Sequence, residues 1–148
     1  KVPTAERQTV VVETARRLTP LGVDVLKAEF PLGVAAEPDE AVWAEACAQL
    51  SAASVVPWVL LSAGVTFEQF ERQTAVACQN GASGVLAGRA VWQEAADLTP
   101  PDRIAFLRMA AAERMQRLAR IISAFGRPWT EFHPDLRESV GENWYQQY

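Results

Sequence analysis

Gly22-Val23-Asp24-Val25-Leu26-Lys27-Ala28-Glu29-Phe30-Pro31 is the stretch that decides the fold. It reads as a strand over residues 23–30, stopped by Pro31. Strand alternation puts Val25, Lys27 and Glu29 on one face, and Asp24, Leu26, Ala28 and Phe30 on the other. Upstream, Val11, Ala15 and Leu18 fall at spacings of four and three, which predicts a helix over residues 4–18, ended by Pro20 and Gly22. Downstream, Pro38 suits the first turn of a second helix carrying Val42, Trp43, Ala46, Cys47 and Leu50 on one face.

The alternation then repeats. Residues 55–62 form an almost continuous apolar run, a second strand with Pro57 confined to its start. Thr66-Phe67-Glu68-Gln69 has capping-box spacing and opens a helix that Asn80-Gly81 closes. Gly84-Val85-Leu86-Ala87 reads as a short third strand and residues 89–96 as a short helix, with a break at Pro100-Pro101. Ile104, Leu107, Ala111, Met115, Leu118, Ile122 and Phe125 give a long amphipathic helix, ended by Gly126 and Pro128. Strands that alternate with helices and read as apolar runs belong to a parallel sheet covered by helices, an α/β fold. Three strands are too few for a closed barrel or a doubly wound sheet, which need about five to eight, so the sequence reads as part of a larger α/β domain.

Lys27 stands out, because a lysine in an otherwise apolar strand is costly unless it is paired or functional. A salt bridge to Glu29 or to an aspartate is one reading. The other is an amine whose pKa is lowered by desolvation, ready to attack a carbonyl. Ser62-Ala63-Gly64 and Gly88-Arg89 place small residues directly after the second and third strands. Small residues let backbone N–H groups approach an anion, and Arg89 can add a charged fork for phosphate or sulfonate. Singly, such loops also serve as tight turns, with Arg89 paired to a carboxylate. Two in consecutive strand-to-helix turns match the phosphate site of β/α barrels. His133 stands alone near a proline and reads as a surface or packing residue. Trp43, Trp58 and Trp92 read as core or interface anchors, and Met109 and Met115 as ordinary helix residues. No HExxH, GxGxxG, Walker A or GxSxG motif occurs.

With these residues in view, the chain resembles the class I tagatose-bisphosphate aldolases and the related sulfofructosephosphate aldolases. Residues 22–31 are similar to that family's strand with the Schiff-base lysine. Trp58-Val59-Leu60-Leu61-Ser62-Ala63-Gly64-Val65 is similar to its next strand and phosphate loop, and residues 84–92 to the one after. The resemblance covers roughly residues 5–126. It implies the C-terminal portion, about strands six to eight, of a (β/α)8 TIM barrel over residues 1–126, with 127–148 a tail packing on the barrel or on a partner subunit. It implies that Lys27 forms an imine with dihydroxyacetone phosphate, that Ser62, Gly64, Gly88 and Arg89 surround a phosphate or sulfonate, and that Glu29 is at most supporting. The family's acid/base glutamate lies on an earlier strand, and no cofactor or metal is required. A non-catalytic phosphosugar-binding or regulatory barrel is the alternative. An isomerase or epimerase is a weaker third reading, needing paired acid/base groups.

Composition bounds the partners. The 148 residues are 49% hydrophobic and 22% charged, the mix of a globular chain, with a net charge of -4. A mildly acidic chain without a basic block is a poor match for nucleic acid, and no apolar run is long enough to span a membrane. The start has neither the basic nor the apolar region of a retained signal peptide. Cys47 and Cys78 lack CxxC spacing, which argues against a disulfide scaffold or a cysteine zinc site and for a reducing cytoplasm. The expected partners are a sugar phosphate, an N-terminal part of the barrel and further copies in a homo-oligomer.

Overall fold

The computed structural model describes residues 3–33 and 37–133. Helix α1 (Arg7–Leu18) is followed by β1 (Leu26–Ala28), α2 (Glu40–Ala53), β2 (Trp58–Leu61), α3 (Phe67–Gln79), β3 (Gly84–Leu86), the short α4 (Arg89–Trp92), α5 (Pro100–Phe106) and α6 (Ala112–Phe125). The strands form one parallel sheet in the order β1-β2-β3, with Leu26 opposite Trp58, Lys27 opposite Val59, and Val59 opposite Gly84.

The sheet has two unlike faces. Ala28, Trp58 and Leu60 turn toward the helices and are buried with Ala15, Leu50, Phe70 and Ala77. Each large apolar side chain so buried contributes roughly 1.5–3 kcal/mol. Trp58 also satisfies its indole N–H, which donates to Ser51 Oγ at 2.9 Å. On the other face Lys27 is exposed, and Val25 and Leu86 are 50% and 51% exposed. The covering of both faces expected of a parallel sheet is therefore found on one face only, among the described residues.

β1 is shorter than the expected 23–30. Its pairing with β2 begins only where Leu26 N–H donates to the carbonyl of Pro57 at 2.9 Å, and no described strand pairs with its other edge. A proline has no N–H to extend the ladder backwards, so β2 likewise starts after Pro57. Pro38 lies outside the first turn of α2, because Asp39 is the cap and its side chain accepts from Ala41 N–H at 2.9 Å. Val42 is exposed, unlike its expected neighbours Trp43, Ala46, Cys47 and Leu50. Thr66 does cap α3, its hydroxyl accepting from Gln69 N–H at 3.3 Å.

The long final helix also departs from its expected stripe. Pro100 begins α5 rather than marking only a break, and a π-helical turn over Leu107–Ala111 separates α5 from α6. Such a turn shifts the helical phase. Ala111 and Leu118 are buried, whereas Ile104, Leu107, Met115 and Phe125 are exposed. Trp43 and Trp58 are core residues, but Trp92 is half exposed. Beyond α6, Arg127 N–H donates to the Ala82 carbonyl at 3.0 Å, and the Arg127 guanidinium lies 4.2 Å from the centre of the Phe132 ring. The rest of the expected tail, residues 134–148 with Trp144, Tyr145 and Tyr148, lies outside the described residues.

Candidate functional site

In a parallel sheet the loops after the strands gather at one end, and ligands bind there. After β2 the chain turns sharply at Ala63 and Gly64, with φ of 50° and 78°. The left-handed backbone costs glycine little, while at Ala63 it stores roughly 1–2 kcal/mol. Val65 N–H closes the turn on the Ser62 carbonyl at 3.2 Å. After β3, Gly88 leads into α4, and Val91 N–H bonds back to its carbonyl at 2.8 Å.

These two loops meet. The Arg89 guanidinium lies against Gly64, with Cζ 3.1 Å and Nη2 3.2 Å from where a Cβ on residue 64 would stand. Ser62, which is buried, has its hydroxyl 3.6 Å from the corresponding position at Gly88. The structure thus brings Ser62, Gly64, Gly88 and Arg89 to one corner. A cavity of about 380 Å³ opens beside it, lined by Gly64 and Arg89. Glu94 also lines this cavity but is taken up by Arg114, at 2.7 and 3.0 Å, and this hydrogen-bonded guanidinium holds its carboxyl below the usual range. No ion-pair partner for Arg89 occurs among the described residues.

Lys27 sits on the open face of β1, in a row with Val59 and Gly84. Among the described residues the Lys27 side chain is exposed, and Glu29 pairs with Arg7 of α1 at 2.6 Å rather than with Lys27, which corrects the salt-bridge reading. Lys27, Glu29 and Arg7 line a cavity of about 590 Å³ along the free edge of β1. Ala63 reaches the same cavity, which joins the lysine to the small-residue loop. Arg7 was not singled out in the sequence. It is a helix residue with no local motif, and only the tertiary packing of α1 carries it to Glu29.

The other candidates lie away from this end. His133 Nε2 is 3.3 Å from the Asp24 carbonyl, before the start of β1, as a packing residue would be. Cys47 and Cys78 are free and buried. Burial, and secondarily Cys78, pushes the Cys47 thiol up to about 12, and burial pushes Cys78 up to about 11. Neither can serve as a thiolate nucleophile near neutral pH. Among the described residues, no three or more His, Cys, Asp and Glu side chains cluster to hold a metal ion, and no helix is long and apolar enough to cross a membrane.

The sequence profile of the DeoC/LacD family aldolases matches residues 1–94, a span that holds Lys27, Ser62, Gly64, Gly88 and Arg89. The chain belongs to the DeoC/LacD family of aldolases. Its relatives include tagatose 1,6-diphosphate aldolase 2 of Streptococcus mutans, 30% identical over 125 residues that make up 74% of this chain and 38% of that protein. Aldolase 2 of Streptococcus pyogenes has the same identity and coverage, and a tagatose 1,6-diphosphate aldolase 1 of that species is 33% identical over the same shares. The chain therefore spans about 38% of the length of the curated DeoC/LacD relatives it matches.

Proposed function

We propose that this chain is the lysine-bearing portion of a class I aldolase, an aldehyde-lyase that cleaves a ketose phosphate of the tagatose 1,6-bisphosphate or sulfofructose phosphate type. The observation that carries the reading is the placement of Lys27 on an uncovered sheet face, in one cavity with the loop that leads to the Gly64–Arg89 corner. In this account residues 1–126 are the C-terminal part of a (β/α)8 barrel, with β1, β2 and β3 as its strands six to eight. The open face is its interior, and the remaining walls come from a preceding N-terminal part. Residues 127–148 form the tail against the barrel or a partner subunit in a homo-oligomer. Two buried free cysteines suit a reducing cytoplasm.

The chemistry follows from an amine and an anion site. The uncharged Lys27 Nζ adds to the substrate's keto carbon. The carbonyl oxygen leaves as water, and the resulting iminium is an electron sink. When a base removes the proton of the C4 hydroxyl, the C3–C4 electrons flow into the iminium. The aldehyde departs, the enamine takes up a proton at C3, and water hydrolyses the resulting iminium to dihydroxyacetone phosphate and free Lys27. By resemblance, that base is a glutamate on an earlier strand. Ser62, Gly64, Gly88 and Arg89 hold the phosphate or sulfonate. No metal is needed, because the iminium does the work of a Lewis acid.

The test is cleavage of a ketose phosphate by the full-length protein, read as release of dihydroxyacetone phosphate. Lys27→Ala is expected to lose the rate by several orders of magnitude while the folded structure persists. A Lys27→Ala variant that turns over normally would refute the proposal. A wild-type protein that binds but never cleaves would favour a phosphosugar-binding barrel.

A further inference from the structure

Lys27 and Glu29 are both exposed, flank buried Ala28 and line one cavity, and two residues of extended chain span roughly 6.6 Å. A carboxylate so placed is the natural counter-ion of the lysine. Such a pair would keep the amine protonated and therefore unreactive toward a carbonyl. The structure shows a different pairing. Arg7, in the first turn of α1, sends Nη2 to Glu29 Oε2 at 2.6 Å and Nε to the Phe30 carbonyl at 3.1 Å. One guanidinium thus grips both the carboxylate and the backbone beyond it, a fork that a lysine could not reproduce.

We propose that Arg7 is a positioning residue that diverts Glu29 from Lys27 and so keeps the amine available for imine formation. This rests on the class I reading above. Among the described residues, the charged groups lining the cavity with Lys27 are Arg7 from α1 and Glu29, just after β1. Across the sheet the registered neighbours, Val59 and Gly84, carry no charge, and the loop after β2 contributes Ala63. Removing Arg7 therefore leaves Glu29, among the described residues, with one cationic neighbour in this cavity, Lys27.

The experiment uses the full-length protein and borohydride trapping of dihydroxyacetone phosphate across a pH series, at fixed ionic strength. Arg7→Ala is expected to raise the pH of half-maximal trapping by about 0.5–1 unit, the low end for a charge pair because the site is partly solvated. Arg7→Ala combined with Glu29→Gln should return it to the wild-type value, since the competing charge is gone. Arg7→Lys should fall between, keeping a cation but not the fork. An unchanged pH in Arg7→Ala would overturn the proposal. So would a loss of trapping at every pH that the double variant does not relieve, since Arg7 would then be acting on structure alone. Wild-type protein that traps no adduct on Lys27 would instead remove the class I reading itself.

Discussion

The corner formed by the loops after β2 and β3 and the edge formed by β1 differ in how much of their surroundings this chain supplies. At the corner, Ser62, Gly64, Gly88 and Arg89 approach one another within the described residues, and a core of Trp58, Leu60 and Phe70 supports them from behind. At the edge, Lys27 stands exposed beside a groove that no described strand closes. An anion site can be local, because backbone turns and one arginine suffice for it. An imine site cannot, because it needs a lysine held uncharged, an acid/base partner and exclusion of water.

The largest expected effect separates the two sheet faces. Trp58→Ala removes a fully buried ring from the helix-facing side and is expected to cost about 3–5 kcal/mol in a denaturant titration. Leu86, half exposed here, tests the other side. If that face is a barrel interior in the full-length protein, Leu86→Asp should cost about 3 kcal/mol or more, because a carboxylate would be buried without a partner. A cost within about 0.5 kcal/mol would mean that the face meets solvent, and the comparison between the faces would stand as a permanent one.

Next in size is the corner. A charge-assisted arginine contact is worth about 1.5–3 kcal/mol, so Arg89→Ala should raise KM for a ketose phosphate by about 10- to 100-fold in steady-state kinetics. Unchanged constants would place the anion elsewhere.

Much of this was legible in the sequence because it depends on neighbours along the chain. The Thr66 cap and the glycine turns are local matters of donors, φ and side-chain volume. What escaped depends on contacts distant in sequence. The length of β1 is set by which edge finds a partner, and the phase of the last helix by the π turn at Leu107–Ala111. The pairing of Glu29 with Arg7 joins residues 22 positions apart, with no motif to announce it. The two small-residue loops that meet at Arg89 could be read from the sequence, whereas the exposure of Lys27 could not, because burial depends on what the rest of the protein places over it.

The smallest expected effect is a near absence of reaction. The folded thiols of Cys47 and Cys78, near 12 and 11 against an ordinary 9.0, stay protonated at pH 8. Iodoacetamide should label them only as fast as the protein opens, and mass spectrometry at intervals measures that rate. The sign for stability follows. The contribution is present below pH 9, where the unfolded thiols are also protonated, and is lost as pH rises through the folded values. Rapid native labelling would show that the helix-facing core is more open than the packing of α2 and α3 implies.

The most direct test of the account is borohydride reduction of the full-length protein in the presence of dihydroxyacetone phosphate, followed by proteolysis and peptide mapping. One adduct is predicted, on Lys27, formed by reduction of its imine and blocked by prior modification of that amine. An adduct on Lys1 or on any lysine outside this chain, or none at all in an enzyme that still cleaves substrate, would contradict the assignment of Lys27.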